Sequence, residues 1–296
     1  YSGGAVFVFE PDGSVRDGWP VIIPPRPGYT PPHIYNSASI GDIDNDGLKE
    51  IIVGIDNGTA ELDPSQVFCF KPNGINCPGF PVGISPQGYR SKAVLIDIDN
   101  DSYLEIIIGK ERSELNIYRY DGSLYPGYPL DKIVRKISTG DINLDGNKDM
   151  TFVGGDYISG AKLNAYNILT KEFLPNFPIP PITDADGTWY YTSPYLLDLS
   201  DNFGEEIATG AGNGGWVPDG KLFAFDLEGN LVEGFPSEFL YHRELSTGCA
   251  VDDLDGDGDV EICCGAENEE YVIPRHTNVF CWDSPHPWNR DMADWM

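Results

Sequence analysis

The chain has 296 residues and a formal net charge of −28, with 34 glycines and 24 prolines. This length supports one large domain or two ordinary ones. The negative charge argues against a nucleic-acid partner, and the sequence has no apolar run of about 18 residues that would insert into a membrane as a helix. The glycine and proline content favours many turns between short strands.

The first elements in chain order set a pattern. Residues 6–9 alternate between aliphatic and aromatic side chains, and Asp-Gly follows at 12–13. Gly-Trp-Pro comes at 18–20, and then an acidic loop, Asp-Ile-Asp-Asn-Asp-Gly-Leu-Lys-Glu, at 42–50. This loop leads directly into Ile-Ile-Val-Gly at 51–54. Alternation predicts a strand and Asp-Gly a hairpin turn, so the loop is expected to join two strands.

Three markers then repeat along the chain. The acidic loop is found at 42–50, 97–105, 141–149, 198–206 and 253–261. The alternating run is found at 6–9, 67–70, 117–120, 163–166, 222–225 and 279–282. A Gly- or Asn-aromatic-Pro triplet is found at 18–20, 79–81, 127–129, 176–178 and 234–236. An internal repeat of this kind predicts a modular architecture.

Each repeat predicts four short antiparallel strands. The first strand ends in the acidic loop, the second leaves it, the third is the alternating run and the fourth leads out of the triplet. Such a sheet cannot bury both faces alone, and repeats of this length with four strands pack radially in β-propellers. We therefore predict an all-β propeller of four-stranded blades, with residues 1–296 as a single domain. The five loops and six alternating runs leave the blade count open: a six- or seven-bladed ring, or closure by a composite blade.

The spacing of the acidic loop suits a hard cation. Acidic oxygens fall at positions 1, 3, 5 and 9 of the first copy, with glycine at position 6. Calcium takes six to eight oxygen ligands from carboxylates, carbonyls and water. An EF-hand is excluded because its loop ends in a glutamate at position 12 and is flanked by helices.

These residues resemble the FG-GAP/VCBS repeat family of calcium-binding β-propellers, which also forms the head of integrin α-subunits. The resemblance rests on Asp-x-Asp-x-Asp-Gly-x-x-Glu followed by Ile-Ile-Val-Gly, on the aromatic hairpin and on Gly-Phe-Pro, and it covers nearly the whole chain. It implies a secreted or cell-surface propeller with Ca²⁺ in the loop between the first two strands of each blade. It leaves the function open, because the family includes adhesion heads, lectin-like binders and parts of polysaccharide-degrading enzymes.

Four to five structural Ca²⁺ sites are expected. The predicted ligands are side chains at positions 1, 3, 5 and 9 and a main-chain carbonyl at position 7: Asp42, Asp44, Asp46, Leu48 and Glu50; Asp97, Asp99, Asp101, Tyr103 and Glu105; Asp141, Asn143, Asp145, Asn147 and Asp149; Asp198, Ser200, Asn202, Gly204 and Glu206; Asp253, Asp255, Asp257, Asp259 and Glu261. The fourth copy retains two carboxylates and is expected to be the weakest. In the second copy, Ser102 replaces the glycine and is expected to be strained if that position requires positive φ.

The six cysteines are an even number and are expected to form disulfides in an exported protein. Cys69 and Cys77 flank one hairpin turn and are predicted to pair across it. Another four, Cys249, Cys263, Cys264 and Cys281, fall on three neighbouring strands of the last repeat, where pairing between adjacent strands is expected with connectivity open. Zinc is disfavoured because the sequence contains no Cys-x-x-Cys.

Basic and aromatic residues precede several of the first strands and are expected near one rim of the ring. The candidate ligand-binding residues are Arg90, Lys92, Arg135, Lys136, Tyr190, Tyr191 and Arg243. Cations and aromatic rings together suit an acidic glycan. The alternative is that these side chains pair with nearby acids or pack between blades.

Three functions fit these patterns. The first is a secreted or cell-surface, calcium-stabilised propeller without enzymatic activity, which binds a glycan or another surface protein in adhesion. The second is the propeller of a polysaccharide-active enzyme such as a lyase. The third is a self-assembling extracellular subunit whose unmatched end strands pair with another chain. Because the sequence begins at Tyr1 without a methionine, we expect it to be a piece of a longer product.

Overall fold

The regular structure of the chain consists of β-strands. A computed structural model describes residues 4–24, 33–34, 36–56, 65–85, 88–89, 91–110, 114–132, 134, 136–154, 162–180, 189–190, 192–199, 204–212, 220–238, 249–268 and 276–287. Twenty strands lie in these ranges, and none of the residues described there forms a helix that could cross a bilayer. Contacts divide the chain into two compact units, Tyr1–Arg135 and Lys136–Met296. That both units belong to one domain stays a prediction.

The first unit contains three antiparallel sheets, each formed by consecutive strands. The strands are β1 (Gly4–Val6) paired with β2 (Val21–Ile23); β3 (Ser39–Gly41), β4 (Glu50–Gly54), β5 (Ser65–Phe70) and β6 (Val82–Ser85) in one four-stranded sheet; and β7 (Val94–Ile96), β8 (Glu105–Gly109) and β9 (Leu115–Tyr118) in a third. Leu115 of β9 also bridges to Leu130, at the place where a fourth strand is predicted.

The second strand of each repeat in this unit lies between two sheets. All residues of β4 and β8 are buried. Ile52 packs in a cluster with Ile106 and Ile108 of the following sheet. On the other face of β4, Ile51 and Val53 pack in a cluster with Ile23 of the preceding sheet. Since both faces are covered, these strands are continuously apolar and do not alternate. The sheets of this unit therefore stack face to face, as blades do.

Neighbouring sheets of the first unit also meet where a triplet reaches the next hairpin turn. The Trp19 Nε1–H donates to the carbonyl oxygen of Pro72 at 2.9 Å. Gly18 has a φ of +87°, and a Cβ on it would lie 2.1 Å from the carbonyl oxygen of Asn73. Gly79 makes the same approach to Asp121, where a Cβ would lie 1.9 Å from the carbonyl oxygen. Only glycine fits this contact, which we call the glycine–turn junction.

The second unit contains three further sheets. The strands are β10 (Lys136–Gly140), β11 (Asp149–Gly154) and β12 (Lys162–Asn167), with a bridge from Leu163 to Ile179; β13 (Trp189–Tyr190), β14 (Tyr195–Leu197), β15 (Glu206–Gly212), β16 (Lys221–Phe225) and β17 (Ser237–Glu238); and β18 (Cys249–Asp252), β19 (Asp259–Asn268) and β20 (His276–Pro287). In β15, Ile207 packs against the preceding sheet and Ala208 against the following one. This unit thus has the same stacked arrangement as the first.

In the five sheets that contain an acidic loop, the predicted order of the first three strands is confirmed, with the first strand ending at the loop and the second leaving it. Among the described residues the fourth strand pairs as a strand in two of these sheets, as β6 and β17. The first alternating run is an exception: β1 ends at Val6, and Phe9 makes only an isolated bridge with Val15. All five triplets contain a cis peptide bond before proline, which the sequence patterns do not predict.

All six cysteines form disulfides, as predicted. Cys69 pairs with Cys77 across the hairpin turn. In the last sheet, Cys249 pairs with Cys264 and Cys263 with Cys281. These two bonds join β18 to β19 and β19 to β20, so the connectivity that the sequence left open is the one between adjacent strands. Disulfides of this kind form and persist in oxidising compartments.

Candidate metal centre

The first acidic loop is folded by its own carboxylates. Asp42 accepts hydrogen bonds from the backbone N–H groups of Asp46 (3.0 Å) and Gly47 (2.9 Å), and Asp46 accepts one from Leu48 (2.8 Å). The loop passes through positive φ at position 4, Asn45 (+54°), and at position 6, Gly47 (+86°). This loop conformation places one oxygen each from Asp42, Asp44 and Glu50 within 4.8 Å of one another.

Other copies repeat this geometry. The first aspartate accepts from the backbone N–H of position 6 in the second, third and fifth loops, at 2.9, 2.8 and 3.2 Å. Groups of three acids within 4.8 Å also form in the second loop (Asp97, Asp99 and Asp101) and in the fifth (Asp253, Asp255 and Glu261). In the third loop the side chain of Asn143 donates to Asp145 at 3.1 Å. The geometry therefore brings together predicted ligands in three loops as metal-sized groups.

The strain predicted for Ser102 is present. Its φ is +72°, in the left-handed region that disfavours side chains. Position 4 also has positive φ in each described loop, and in the third loop a leucine, Leu144 (+54°), takes this conformation. Backbone strain of this kind is maintained only where the surrounding structure determines it. Here the aspartate at position 1 supplies that constraint.

The acid at position 9 is the buried member of each loop. Glu50, Glu105, Glu206 and Glu261 each accept a hydrogen bond from the backbone N–H of position 2, at 3.0, 3.0, 2.6 and 2.5 Å. The other oxygens of Glu50 and Glu261 are buried without a hydrogen-bond partner, and so is one oxygen of Asp149. A buried carboxylate oxygen is costly unless it is paired or coordinates a metal. These oxygens are therefore suitable ligands for a bound cation.

Burial also shifts the protonation of these acids. It raises the pKa of Glu105 to about 7, against the lowering effect of the Ile98 N–H, and the neighbouring loop aspartates raise it further. Burial raises the pKa of Asp149 to about 7 as well, although a hydrogen bond from Asn167 opposes it. The pKa of Glu50 is raised for the same reason. Burial and the neighbouring aspartates of the second loop thus both disfavour the charged form of Glu105.

The fourth loop is only partly described. Glu206 is buried and bonded to Leu199, Gly204 has a φ of +104°, and Asp198 is half-buried. Two of its predicted ligands, Ser200 and Asn202, lie outside the described residues. Its status as the weakest site stays a prediction.

Sequence reasoning missed one position that faces each loop from the third strand. This residue lies opposite position 9 in the register of the second and third strands. In loop order it is Lys71, Arg119, Asn167, Asp226 and Asp283. The Asn167 amide donates to Asp149 at 2.8 Å, and Asp283 forms an acid group with Asp257 and Asp259. In four repeats this residue directly follows the alternating run, so an alignment of the runs with the loops would have indicated it. We call it the cross-strand position.

The first loop has a lysine at the cross-strand position. Lys71 Nζ lies 2.9 Å from an oxygen of Asp44, 2.9 Å from an oxygen of Asp46 and 3.6 Å from an oxygen of Glu50. The hydrogen bond from Lys71 lowers the pKa of Asp46, and the hydrogen bonds to Asp46 and Asp44 raise the pKa of Lys71. An ammonium group thus contacts three of the four side chains that are predicted to hold the cation.

The predicted glycan-binding residues are mostly outside the described part of the chain. Arg90, Arg135, Tyr191 and Arg243 are not described. Lys92 and Lys136 are exposed, and Tyr190 pairs with Ala211 in the sheet. Whether these residues share one rim stays a prediction.

Comparison of sequences shows a partial similarity to one adhesion receptor. The chain is 32% identical over 123 residues to human integrin alpha-6, a match that covers 40% of this chain and 10% of that protein. No protein-family model matches the chain. The chain therefore corresponds to a small part of this relative, and the FG-GAP/VCBS resemblance is supported only as far as this match extends.

Comparison of structures shows the fold class. The Dos1 propeller matches with a TM-score of 0.50 at 10% identity, over 97% of this chain and 61% of that one. BBS1N, in its crystal structure with ARL6DN, matches with a TM-score of 0.52 at 10% identity, over 90% of this chain and 70% of that one. At this identity the similarity concerns the fold alone. The chain is an all-β protein with a β-propeller fold.

Proposed function

We propose that this chain is a secreted or cell-surface β-propeller that is stabilised by calcium and acts as a binding module in adhesion. One observation carries the calcium part. In the fifth loop the position-9 glutamate, Glu261, is buried with one carboxylate oxygen that accepts no hydrogen bond, beside oxygens of Asp253 and Asp255. A protein that folds around such an oxygen requires a cation to compensate its charge.

The donor set fits calcium better than other metals. The predicted ligands are carboxylate, amide and main-chain oxygens, which are hard donors that suit Ca²⁺, whereas zinc and copper sites use imidazole and thiolate. The cysteines are unavailable because all six are in disulfides. In this assignment the carboxylates at positions 1, 3, 5 and 9 hold the ion, and Leu48 and its equivalents at position 7 add a carbonyl. The ion would supply positive charge that joins the first two strands of each blade.

The energy involved gives the metal a structural role. Extracellular calcium sites bind with a Kd of about 0.1–1 mM. At about 1 mM free calcium and a Kd of about 0.1 mM, each occupied site contributes about 1.4 kcal/mol. Four or five sites then contribute about 6–7 kcal/mol, which is comparable to the whole net stability of a typical domain, about 5–15 kcal/mol. Function is thus expected on the surfaces between the loops, and not at the metals.

The binding role is supported by the similarity to an integrin α-subunit and by the propeller fold. A protein partner on a cell surface is the partner class that this similarity favours, and an acidic glycan is the class that the exposed cations Lys92 and Lys136 favour. The three disulfides agree with an extracellular location.

Calcium removal tests the structural part of the proposal. Thermal unfolding is followed in calcium at about 2 mM and in excess EDTA. The number of bound calcium ions per chain is measured by atomic emission after dialysis. We expect about four or five ions per chain, as the sequence predicts, and a Tm that falls by about 10 °C or more in EDTA. An unchanged Tm in EDTA would refute the structural role of the metals.

Binding to immobilised acidic glycans and to cultured cells tests the second part. Lys92→Glu and Lys136→Glu are each expected to reduce glycan binding, while Lys171→Glu, which makes the same change of charge in a hairpin turn, is not. Binding to cells that survives removal of their glycans would indicate a protein partner. Appearance of unsaturated oligosaccharides during incubation would instead support the lyase alternative.

A further inference from the structure

We propose that Lys71 is a built-in competitor for the first acidic loop, so that this loop binds calcium more weakly than the fifth although both offer the same four carboxylates. The proposal rests on the calcium assignment above. It assigns to the lysine at the cross-strand position the role of lowering the cation affinity of the first loop.

The ammonium of Lys71 occupies the position that a cation would need. It donates to Asp44 Oδ2 and Asp46 Oδ2, both at 2.9 Å, and lies 3.6 Å from Glu50 Oε1. Calcium binds its oxygens at about 2.3–2.6 Å. An ion on these three side chains would lie within about 4 Å of the ammonium, where like charges repel strongly. Calcium can therefore enter only when Lys71 leaves, and entry breaks both of its hydrogen bonds.

The side chain of Lys71 has room to leave. Its Nζ belongs to a flexible side chain that is 26% exposed, whereas the side chain of Glu50 is completely buried. The ammonium is thus a tethered ion that can move to solvent, while the carboxylate stays in place. The first loop has two states, one closed by its own lysine and one filled by calcium, and the calcium concentration decides between them.

The fifth loop has the opposite charge at the same place. Glu261 pairs across the sheet with Asp283, and Asp283 lies with Asp257 and Asp259 in a group whose oxygens are within 4.8 Å of one another. The cross-strand residue here adds negative charge beside the loop and provides no competing cation. The third loop is intermediate, because its cross-strand residue is the neutral Asn167. The expected order of filling as calcium rises is therefore the fifth loop before the first.

Lys71→Met tests this order. The variant keeps the aliphatic length of the side chain and removes the ammonium. Calcium binding is measured by isothermal titration of the full chain after removal of metal, for the wild type and for the variant. One site, that of the first loop, is expected to tighten by about tenfold, which corresponds to about 1.4 kcal/mol. Lys49→Met is the matched control: it removes the same charge from an exposed lysine of the same loop and is expected to change affinity by less than about twofold.

A double-variant experiment assigns the effect to the first loop. In the background of Asp42→Asn, which weakens that loop, Lys71→Met should no longer tighten any site. Thermal unfolding gives an independent readout. Lys71→Met is expected to lower the Tm in EDTA, because the loop acids lose their counter-charge, and to leave it unchanged in saturating calcium, where Lys71 of the wild type has left the loop. A purely structural lysine would lower the Tm under both conditions.

The outcomes separate this proposal from the calcium assignment. If the wild type and Lys71→Met bind calcium with the same affinity, the competitor role is overturned and the proposal of a calcium-stabilised propeller is unaffected. Tightening by Lys49→Met as large as that by Lys71→Met also overturns it, since net charge alone would then explain the effect. If the wild type binds no calcium at all, both proposals fail together.

Discussion

Glu105→Gln should raise the stability of the metal-free protein and reduce the stabilisation that calcium provides. Glu105 is 1% exposed, and burial raises the pKa of its carboxyl from 4.5 to about 7. At pH 8 in EDTA the carboxyl is ionised in the folded state, and a difference of about 2.5 pKa units corresponds to a destabilisation of about 3 kcal/mol. Glutamine keeps an oxygen for the N–H of Ile98 but carries no charge, so this destabilisation disappears.

The expected gain in EDTA is about 1–3 kcal/mol, because burial of the new amide offsets part of the benefit. This corresponds to an increase in Tm of about 2–6 °C. With saturating calcium the variant keeps this gain but lacks the roughly 1.4 kcal/mol that calcium in the second loop contributes to the wild type, so the net change lies between about −0.4 and +1.6 kcal/mol. The rise in Tm that calcium causes should therefore be smaller in the variant than in the wild type by about 3 °C.

Thermal and urea unfolding at pH 8, each in EDTA and in calcium, measure both changes. Glu228→Gln is the matched control, because Glu228 is exposed in a turn and its substitution removes the same charge. The control should leave the Tm unchanged within about 1 °C in both conditions. If Glu105→Gln lowers the Tm equally with and without calcium, the carboxylate serves a structural hydrogen bond alone, and the reasoning on cation binding is wrong for this loop.

Three further predictions follow from the fold and the loops. In EDTA the stability should fall as pH rises from about 5 to 8, because Glu105 and Asp149 have pKa values of about 7 in the folded protein and bind protons more strongly there than in the unfolded chain. The midpoint of urea unfolding, measured as a function of pH, tests this. Calcium should remove the dependence of the midpoint on pH. Replacing Cys249 and Cys264 by alanine opens a loop with a sequence separation of 15 and should cost about 3 kcal/mol in urea unfolding. Ile106→Ala should cost about 2–5 kcal/mol, because the side chain is fully buried.

Each of these has a control within the chain. The pH slope should become smaller in Asp149→Asn, and a slope that is unaffected would assign it to other acids. Reduction of the wild type, which opens all three disulfides, should cost at least as much stability as this substitution. Ile75→Ala, at a side chain that is 64% exposed, should cost less than about 0.5 kcal/mol. An equal loss at Ile75 and Ile106 would contradict the placement of the core.

Local patterns predicted the strands and loops because their causes are local. Alternation and turn residues depend on neighbours in sequence, so the run at 67–70 and the turn after it could be located from the chain alone. The acidic loop is equally local: its aspartates bond to N–H groups four and five residues away. The positive φ at Ser102 followed from the glycine that other copies have there. Leu144 gave no such signal, because leucine does not favour this conformation.

Features that depend on strand register could not be predicted in the same way. Lys71 reaches the first loop only because Ile51 pairs with Phe70, which places the next residue opposite Glu50. The sequence shows a lysine before a turn, and its role depends on the length of the hairpin that precedes it. The same holds for Asp283, which required the pairing with Glu261. Long-range pairings of this kind are set by the packing of both faces of the sheet.

The glycine–turn junction has a consequence for how such chains arise. Gly18 reaches the turn at Asn73, Gly79 reaches the turn at Asp121, and in the second unit the Asn176 amide donates to Leu227 at the corresponding turn. In these three cases the triplet of one repeat reaches the turn of the repeat that follows it. Duplicating a whole repeat joins parts that already match, while losing half of one leaves a part unmatched. Gene duplication can therefore lengthen this kind of chain in whole repeats without the invention of a new interface.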